Sequence, residues 1–442
     1  MTIRKMTAPM IIGMIVMMTF GLVDTFFIGM LGTQELAAIS FTFPVTFTVI
    51  SLNIGLGIGT SAVIAKQLGA NKQSQAKETA TGALMLTMLM AILLAVLGVC
   101  TVDLVFSLMG ANQTLLVYIR EYMVVWYGAG IFLSMPMVGN SVLRASGDTK
   151  TPSFVMASSG LVNVILDPVL IFGFGPIPAM GIQGAALATL IAWGLGLIYI
   201  LYILAVQRQL IEPRLLNWQE LKRSSGDILR IGLPAAGANM LTPISTGVVT
   251  AIIAGYGPSA VAAWGVGGRL ESIASIVVLS LSMSLPPFIS QNLGANKLQR
   301  ASEAFSVCVK FVLLWQALIF VIIALLSHPI ANVFTDEPDV ASIIVLFLVI
   351  VPLGYGFQGV TILANSSFNA MHMPMSALIL NVIRLFVFIV PFSYIGSVYF
   401  DLKGLFWGAV LANLVVGCIA FLWFKKVLKT QMAIEEIKKE LI

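Results

Sequence analysis

Polar positions are sparse in this chain, and the apolar ones form long runs: roughly 8–31, 38–65, 82–107, 121–144, 153–175, 181–206, 229–255, 260–290, 304–327, 341–366, 375–397 and 402–424. A bilayer core of about 30 Å takes about 20 apolar residues at ~1.5 Å of helical rise, so each run can cross it. The ten-residue alternation of a membrane barrel is absent. The pattern therefore predicts an all-α integral membrane protein with twelve transmembrane helices. Runs 38–65 and 260–290 exceed one crossing, which predicts tilt or extramembrane turns there.

Composition agrees with that reading. Of 442 residues, 59% are hydrophobic and 10% charged, against about 25% charged in a soluble domain. The net charge of +5 describes loops and not a nucleic-acid surface. Lys and Arg gather in alternate loops: Arg4 and Lys5; Lys66, Lys72 and Lys77; Arg144 and Lys150; Arg208 through Arg230; Lys297 and Arg300; Lys425 through Lys439. By the positive-inside rule both termini are expected in the cytoplasm, in a multi-pass protein of the inner membrane. Arg4 and Lys5 precede a first run with no small-residue cleavage site, so that run reads as a retained span. Cys100, Cys308 and Cys418 all fall in apolar runs and read as small core residues without disulfides.

The chain repeats itself. LGANK occurs at 68–72 and at 293–297, and with that offset residues 23–72 align ungapped on 248–297 with 13 identities. Asn140-Ser141 pairs with Asn365-Ser366, and Gly184-Ala185 with Gly408-Ala409. Two six-helix, pseudo-symmetric lobes of like direction are expected, with substrate binding near their interface. The expected division is an N-lobe at 1–207, a basic cytoplasmic linker at 208–228 and a C-lobe at 229–442.

The repeat is broken where the chemistry lies. Asp24, in TFGLVDTFFIG, aligns with Val249. Asn163 and Asp167, in GLVNVILDPVLIFG, have no carboxylate counterpart in the eleventh run, which carries Arg384 instead. Asn163 and Asp167 are i, i+4 on one helix face. Asp24 follows Pro9 by fifteen residues and Asp167 follows Pro152 by fifteen, about 22 Å of helical rise in each case. If both helices enter from the cytoplasm, the carboxylates share a depth in the outer half. A carboxylate at such depth costs about 2.5–3.5 kcal/mol on insertion scales and marks function.

Two carboxylates and an amide suit Na⁺; the same pair in low dielectric suits a shared proton, and both readings are open. The structural alternative is that each carboxylate caps a helix break, made plausible by Pro168, or pairs with an Arg. Thr189, in GIQGAALAT, is a further candidate hydroxyl ligand, against the plain reading of a small packing residue. Arg269 and Glu271 lie in the eighth run at i, i+2 and cannot face each other. For Arg384 the expectation is that it holds C-lobe helices together. Pro9 is the candidate hinge because it shares a helix with Asp24. With only His328 and His372, no phosphate loop and no metal motif, an enzyme or an ATP-driven pump is not expected.

LVDTFFIG at 22–29, the two LGANK segments, VLRASGDTKTP at 142–152, NVILDPVLIFG at 163–173 and GAALAT at 184–189 together resemble the multidrug and toxic compound extrusion (MATE) family, of the MOP superfamily fold. The resemblance spans the whole chain. It implies a secondary antiporter that exports organic, mostly cationic amphipathic compounds by alternating access, with H⁺ or Na⁺ as coupling ion and no other cofactor or metal. It further implies a cation or proton site at Asp24, Asn163 and Asp167 with Thr189 a weaker member, a first-helix bend at Pro9, and Asn140 and Met156 lining the N-lobe cavity. The expected partners are small-molecule drugs and the lipid bilayer, with the protein a monomer. Runs seven and ten lack the acidic residues of another branch, so the chain looks closer to the DNA-damage-inducible F proteins. A lipid-linked oligosaccharide flippase of the same superfamily is the alternative. It would want a strongly cationic cleft, and only Arg269 and Arg384 lie well inside runs.

Overall fold

The computed structural model describes residues 3–440 apart from 32, 112, 213 and 215. The side chains at 17, 21, 22, 24, 25, 29, 33–37, 40, 435, 436 and 438–440 also lie outside the description. The chain is helical almost throughout: α1 (Ile3–Gly29), α2 (Thr33–Gly69), α3 (Gln73–Leu108), α4 (Gln113–Ser146), α5 (Lys150–Phe172), α6 (Gly181–Tyr202), α7 (Trp218–Ala254), α8 (Pro258–Ala274), α9 (Ile276–Gly294), α10 (Leu298–Leu325), α11 (Ser327–Phe334), α12 (Pro338–Ile350), α13 (Tyr355–Ala370), α14 (Pro374–Val382) and α15 (Val390–Glu440). Among the described residues eleven helical segments are long and apolar enough to cross a membrane. The last of these, Pro374–Ile434, is two crossings joined at Phe400 and Asp401, where Asp401 turns to φ 53°. That makes the twelve expected from the apolar runs.

The two overlong runs behave differently. α2 is one helix of 37 residues, without a turn. Run 260–290 is broken inside the apolar stretch, at Ser275 between α8 and α9. A break inside a membrane span needs a side chain to satisfy the backbone it releases. Gln316 of α10, fully buried, donates its Nε2 to the Ala274 carbonyl at 3.0 Å.

The chain divides into two compact units, Met1–Ala236 and Gly237–Ile442. The division falls inside α7 and not in the basic segment before it. Glycine explains why. Lipid offers helices no hydrophobic drive to associate, so they gain from close van der Waals approach at small residues. A Cβ on Gly55 of α2 would meet the Gly232 carbonyl and the Ala236 backbone of α7, and one on Gly59 would meet the Ile228 carbonyl. The start of α7 is thus seated directly on α2. Polar straps add to this: the Glu212 N–H donates to Thr81 at 2.8 Å, Arg223 pairs with Glu78, and Arg208 pairs with Asp148 at 2.7 Å.

In the first unit α4 packs on α2, α3 and α6, and α5 packs on α1 and α6. In the second, α13 packs on α9, α10 and α15, and α8 on α12. An aromatic cluster fills that core. Trp264 and Phe347 meet edge to face at 5.7 Å, as do Phe347 and Phe406 at 5.4 Å.

The sequence repeat has a structural meaning. In each LGANK the asparagine adopts positive φ, Asn71 at 61° and Asn296 at 53°. Lys72 N–H then donates to Gln67 and Lys297 N–H to Asn292, closing the helix with a left-handed cap. The ends of α4 and α13 carry the same cap on Gly147 and His372, again 225 residues apart in sequence. A Cβ on Gly184 would strike the Leu170 carbonyl, and one on its counterpart Gly408 would strike the Phe392 carbonyl.

Two outcomes follow for stability. Gly55→Ala forces a methyl into backbone and is expected to destabilise by about 1–3 kcal/mol, whereas Gly128→Ala, which has nothing within 4 Å, is expected to be near neutral. Melting curves in detergent check this; equal melting temperatures contradict it. At Asp148, burial pushes the carboxyl up, but the Thr151 backbone N–H and hydroxyl and the Arg208 guanidinium outweigh it and hold it below its ordinary value. Its contribution is therefore present above about pH 3.9 and lost as pH falls through the depressed folded value. Arg208 is half exposed, so Asp148→Asn is expected to cost on the order of 1 kcal/mol at neutral pH. The gap to wild type should close in acid; a gap independent of pH would refute the assignment.

Candidate functional site

The site is built on one stripe of α5. Met156, Gly160, Asn163 and Asp167 follow at steps of four, three and four and therefore share a face. Gly160 lets α1 approach, because a Cβ there would enter the ring of Phe20. One level lower, Gly13 of α1 lies against Ser153 of α5. One level higher, Ile28 packs with Ile171 and Ala185. These contacts run in the same order along both chains, so α1 and α5 are parallel. The Asp24 backbone falls between the Phe20–Gly160 level and the Ile28–Ile171 level, as do Asn163 and Asp167. The side chain of Asp24 lies outside the described residues.

α6 supplies the third member. Gly184 sits on the Leu170 carbonyl and Gly196 beside the Ser159 hydroxyl, so both ends of α6 are drawn onto α5. Thr189 lies between those two contacts. Asn163 Nδ2 consequently reaches both Asp167 Oδ1, at 3.3 Å, and Thr189 Oγ1, at 3.4 Å. Both are long for N–H···O bonds. The Thr189 hydroxyl donates to the Ala185 carbonyl at 3.1 Å, which leaves its lone pairs turned to Asn163. Asp167 has no exposed surface. A carboxylate, an amide and a hydroxyl from two helices thus converge in a buried place, a hard-oxygen donor set for Na⁺ or a proton-binding carboxyl with hydrogen-bond partners.

The structural alternative at Pro168 is not what the structure shows. α5 continues through Pro168 to Phe172, so Asp167 caps no break. Pro168 removes only the one bond to the Val164 carbonyl, four residues before the helix ends. Pro9 likewise lies inside α1 and leaves the Lys5 carbonyl without its helical donor. Met156 is half-buried on the α5 stripe, two turns before Asn163. Asn140, 3% exposed in α4, joins no hydrogen bond with the Asn163 group, and its Oδ1 has no partner among the described residues.

In the second unit the counterpart positions carry other groups. Asn365, the repeat partner of Asn140, donates to Asn381 at 2.6 Å. Glu271 finds its partner in Gln358, whose Nε2 donates to Oε1 at 2.8 Å. Arg269 is exposed and has no polar partner among the described residues. Arg384 makes no hydrogen bond or ion pair among the described residues, and its Nε is buried without a partner there; its electrostatic link runs to Glu271 of α8. Sequence reasoning missed Gln358 and Tyr355; one clue was available, that a glutamate inside an apolar run must find a donor.

The MatE family model matches residues 9–169 and again 234–395, one match in each half. The chain is 40% identical over 417 residues to a protein of Shewanella oneidensis named FAD transporter, covering 94% of this chain and 92% of that one. It is 28% identical over 407 residues to the probable multidrug resistance protein YoeA of Bacillus subtilis, covering 90% and 88%. Among solved structures it is similar to the Vibrio cholerae MATE transporter VcmN in the bent form, with a TM-score of 0.92, 35% identity and coverage of 97% and 96%. A doubled family match, the twelve apolar helices and the polar stripe of α5 agree: the chain belongs to the MATE family of membrane transporters.

Proposed function

We propose that this transporter is a secondary antiporter of the inner membrane, with both termini cytoplasmic, that exports organic solutes in exchange for H⁺ or Na⁺. The observation that carries the reading is the convergence of Asn163, Asp167 and Thr189 at the level of Asp24, in one half of a duplicated fold whose other half lacks it. Packing explains a duplicated scaffold. It does not explain a buried carboxylate kept in one copy only.

The exchange works through differential affinity. A ligand shifts a conformational equilibrium only as far as it prefers one state. With no cation bound, the Asn163 amide offers its N–H to Asp167. A bound Na⁺ would instead require its carbonyl oxygen, so the amide turns and its link to Thr189 changes. Protonation would turn Asp167 from acceptor-only into a donor, with a similar effect on Asn163. Either event resets the α5–α6 contact beside α1, whose Pro9 supplies a place to bend. Asn140 and Met156 then line the solute path of the first unit.

Two substrate readings have support. Drug-like organic cations suit a chain rich in Met and Phe, with 22 and 26, and the relatives named for multidrug export. FAD is the second reading, supported by 40% identity along nearly the whole chain to a protein of that name.

Reconstituted protein decides both points. In liposomes under an imposed ΔpH or Na⁺ gradient, wild type is expected to move a fluorescent organic cation, FAD, or both. Asp167→Asn and Asp24→Asn are each expected to lose gradient-driven movement by tenfold or more, about 1.4 kcal/mol of coupling, and Thr189→Ala to lose a few-fold. Undiminished coupling in Asp167→Asn would sink the site; movement of neither solute would reopen the flippase alternative.

A further inference from the structure

Three helices of the second unit are irregular around one group of side chains. α8 ends at Ala274, three residues past Glu271. Between α12 and α13 the chain tightens into a 3₁₀ turn, Val351–Gly354, which ends at Tyr355. After α14 it widens into a π turn, Ile383–Ile389, which carries Arg384. Membrane helices tolerate such irregular backbone where it builds a polar site, and π turns recur at functional positions.

The side chains there are unequally satisfied. Glu271 Oε1 takes the Gln358 amide at 2.8 Å. Tyr355 is 3% exposed and its hydroxyl has no partner among the described residues. Arg384 buries an unpartnered Nε. Glu271 lies close enough to act electrostatically on both Tyr355 and Arg384. The charges of Glu271 and Arg384 cancel, so the group attracts neither sign by net charge. What remains are two unused donors among the described residues, the Tyr355 O–H and the Arg384 Nε–H. The glutamate already has a donor at 2.8 Å and a cation within electrostatic range, which disfavours a second cation. Leaving two buried donors unmade costs about 1–3 kcal/mol each, which an acceptor ligand recovers. Donors of this kind, a guanidinium above all, suit an oxyanion.

We propose that Tyr355 and Arg384, held beside the Glu271–Gln358 pair, form an anion subsite for a carboxylate or phosphate oxygen of the transported solute. This rests on the transporter reading above. It adds a substrate requirement to the second unit, distinct from the ion site of the first. A phospholipid headgroup offers the same chemistry, and the test separates the two sources.

The full-length protein in phosphatidylcholine nanodiscs is titrated with two matched pairs: rhodamine B and its ethyl ester, which differ by one carboxylate, and FMN and riboflavin, which differ by one phosphate. Wild type is expected to bind the anionic member at least tenfold more tightly in one or both pairs. Arg384→Gln should erase that preference, Arg384→Lys should keep part of it, and Tyr355→Phe, which keeps the ring, should reduce it several-fold. A preference in the rhodamine pair alone supports the subsite while counting against flavin as substrate. A preference abolished by phosphatidylglycerol nanodiscs supports the site and names lipid phosphate as its occupant. Equal binding or none in both pairs, or a preference that survives Arg384→Gln, overturns the proposal.

Discussion

A carboxylate with no exposed surface, inside a helix that crosses a membrane, is the constraint on which the first unit is organised. Asp167 has no bulk water to solvate its charge, and the cost of that state rises with every apolar neighbour. The chain answers with close helix approaches. Gly160 admits the Phe20 ring of α1, while Gly184 and Gly196 bring α6 onto α5. Because α6 lies so close to α5, Asn163 reaches Thr189 as well as Asp167, its neighbour one turn on. The contacts at 3.3 and 3.4 Å are long for N–H···O bonds.

Duplication separated scaffold from chemistry. The helix caps at Asn71 and Asn296, those at Gly147 and His372, and the glycine seats at Gly184 and Gly408 are the same solutions used twice. Backbone geometry is shared between the halves because helix ends and close crossings leave few alternatives. The functional side chains obey no such limit. The first half gathers Asn163, Asp167 and Thr189, whereas the second places Arg384, Tyr355 and the Glu271–Gln358 pair where its helices lose regularity.

What could be read from the chain alone follows the range of the interactions involved. Spans, repeat and the shared face of Asn163 and Asp167 rest on local periodicity, and all are present as expected. Thr189 was within reach because a small-residue helix beside α5 implies close contact. The partner of Glu271 lies 87 residues away and depends on how α8 and α13 pack, which no local pattern encodes. The length of run 260–290 pointed to tilt or a turn there, but not to a break at Ser275, where the released backbone is met by Gln316 of α10. Pro168 supported only the structural alternative, and a proline near a helix end removes one bond and need not stop the helix. The unit boundary lies inside α7 because Gly55, Gly59 and Gly232 fasten its first half to α2, a contact set by depth of approach and not by loop composition.

The central claim is that one buried carboxylate site lets an ion and a solute displace each other. Affinity of the purified protein for a fluorescent organic cation, measured while pH and Na⁺ are varied separately, tests this most directly. The account predicts that Kd rises with the activity of one of the two ions, with a log–log slope approaching one, and that Asp167→Asn flattens that dependence. A wild-type Kd indifferent to both ions, or a slope unchanged by the substitution, would contradict it.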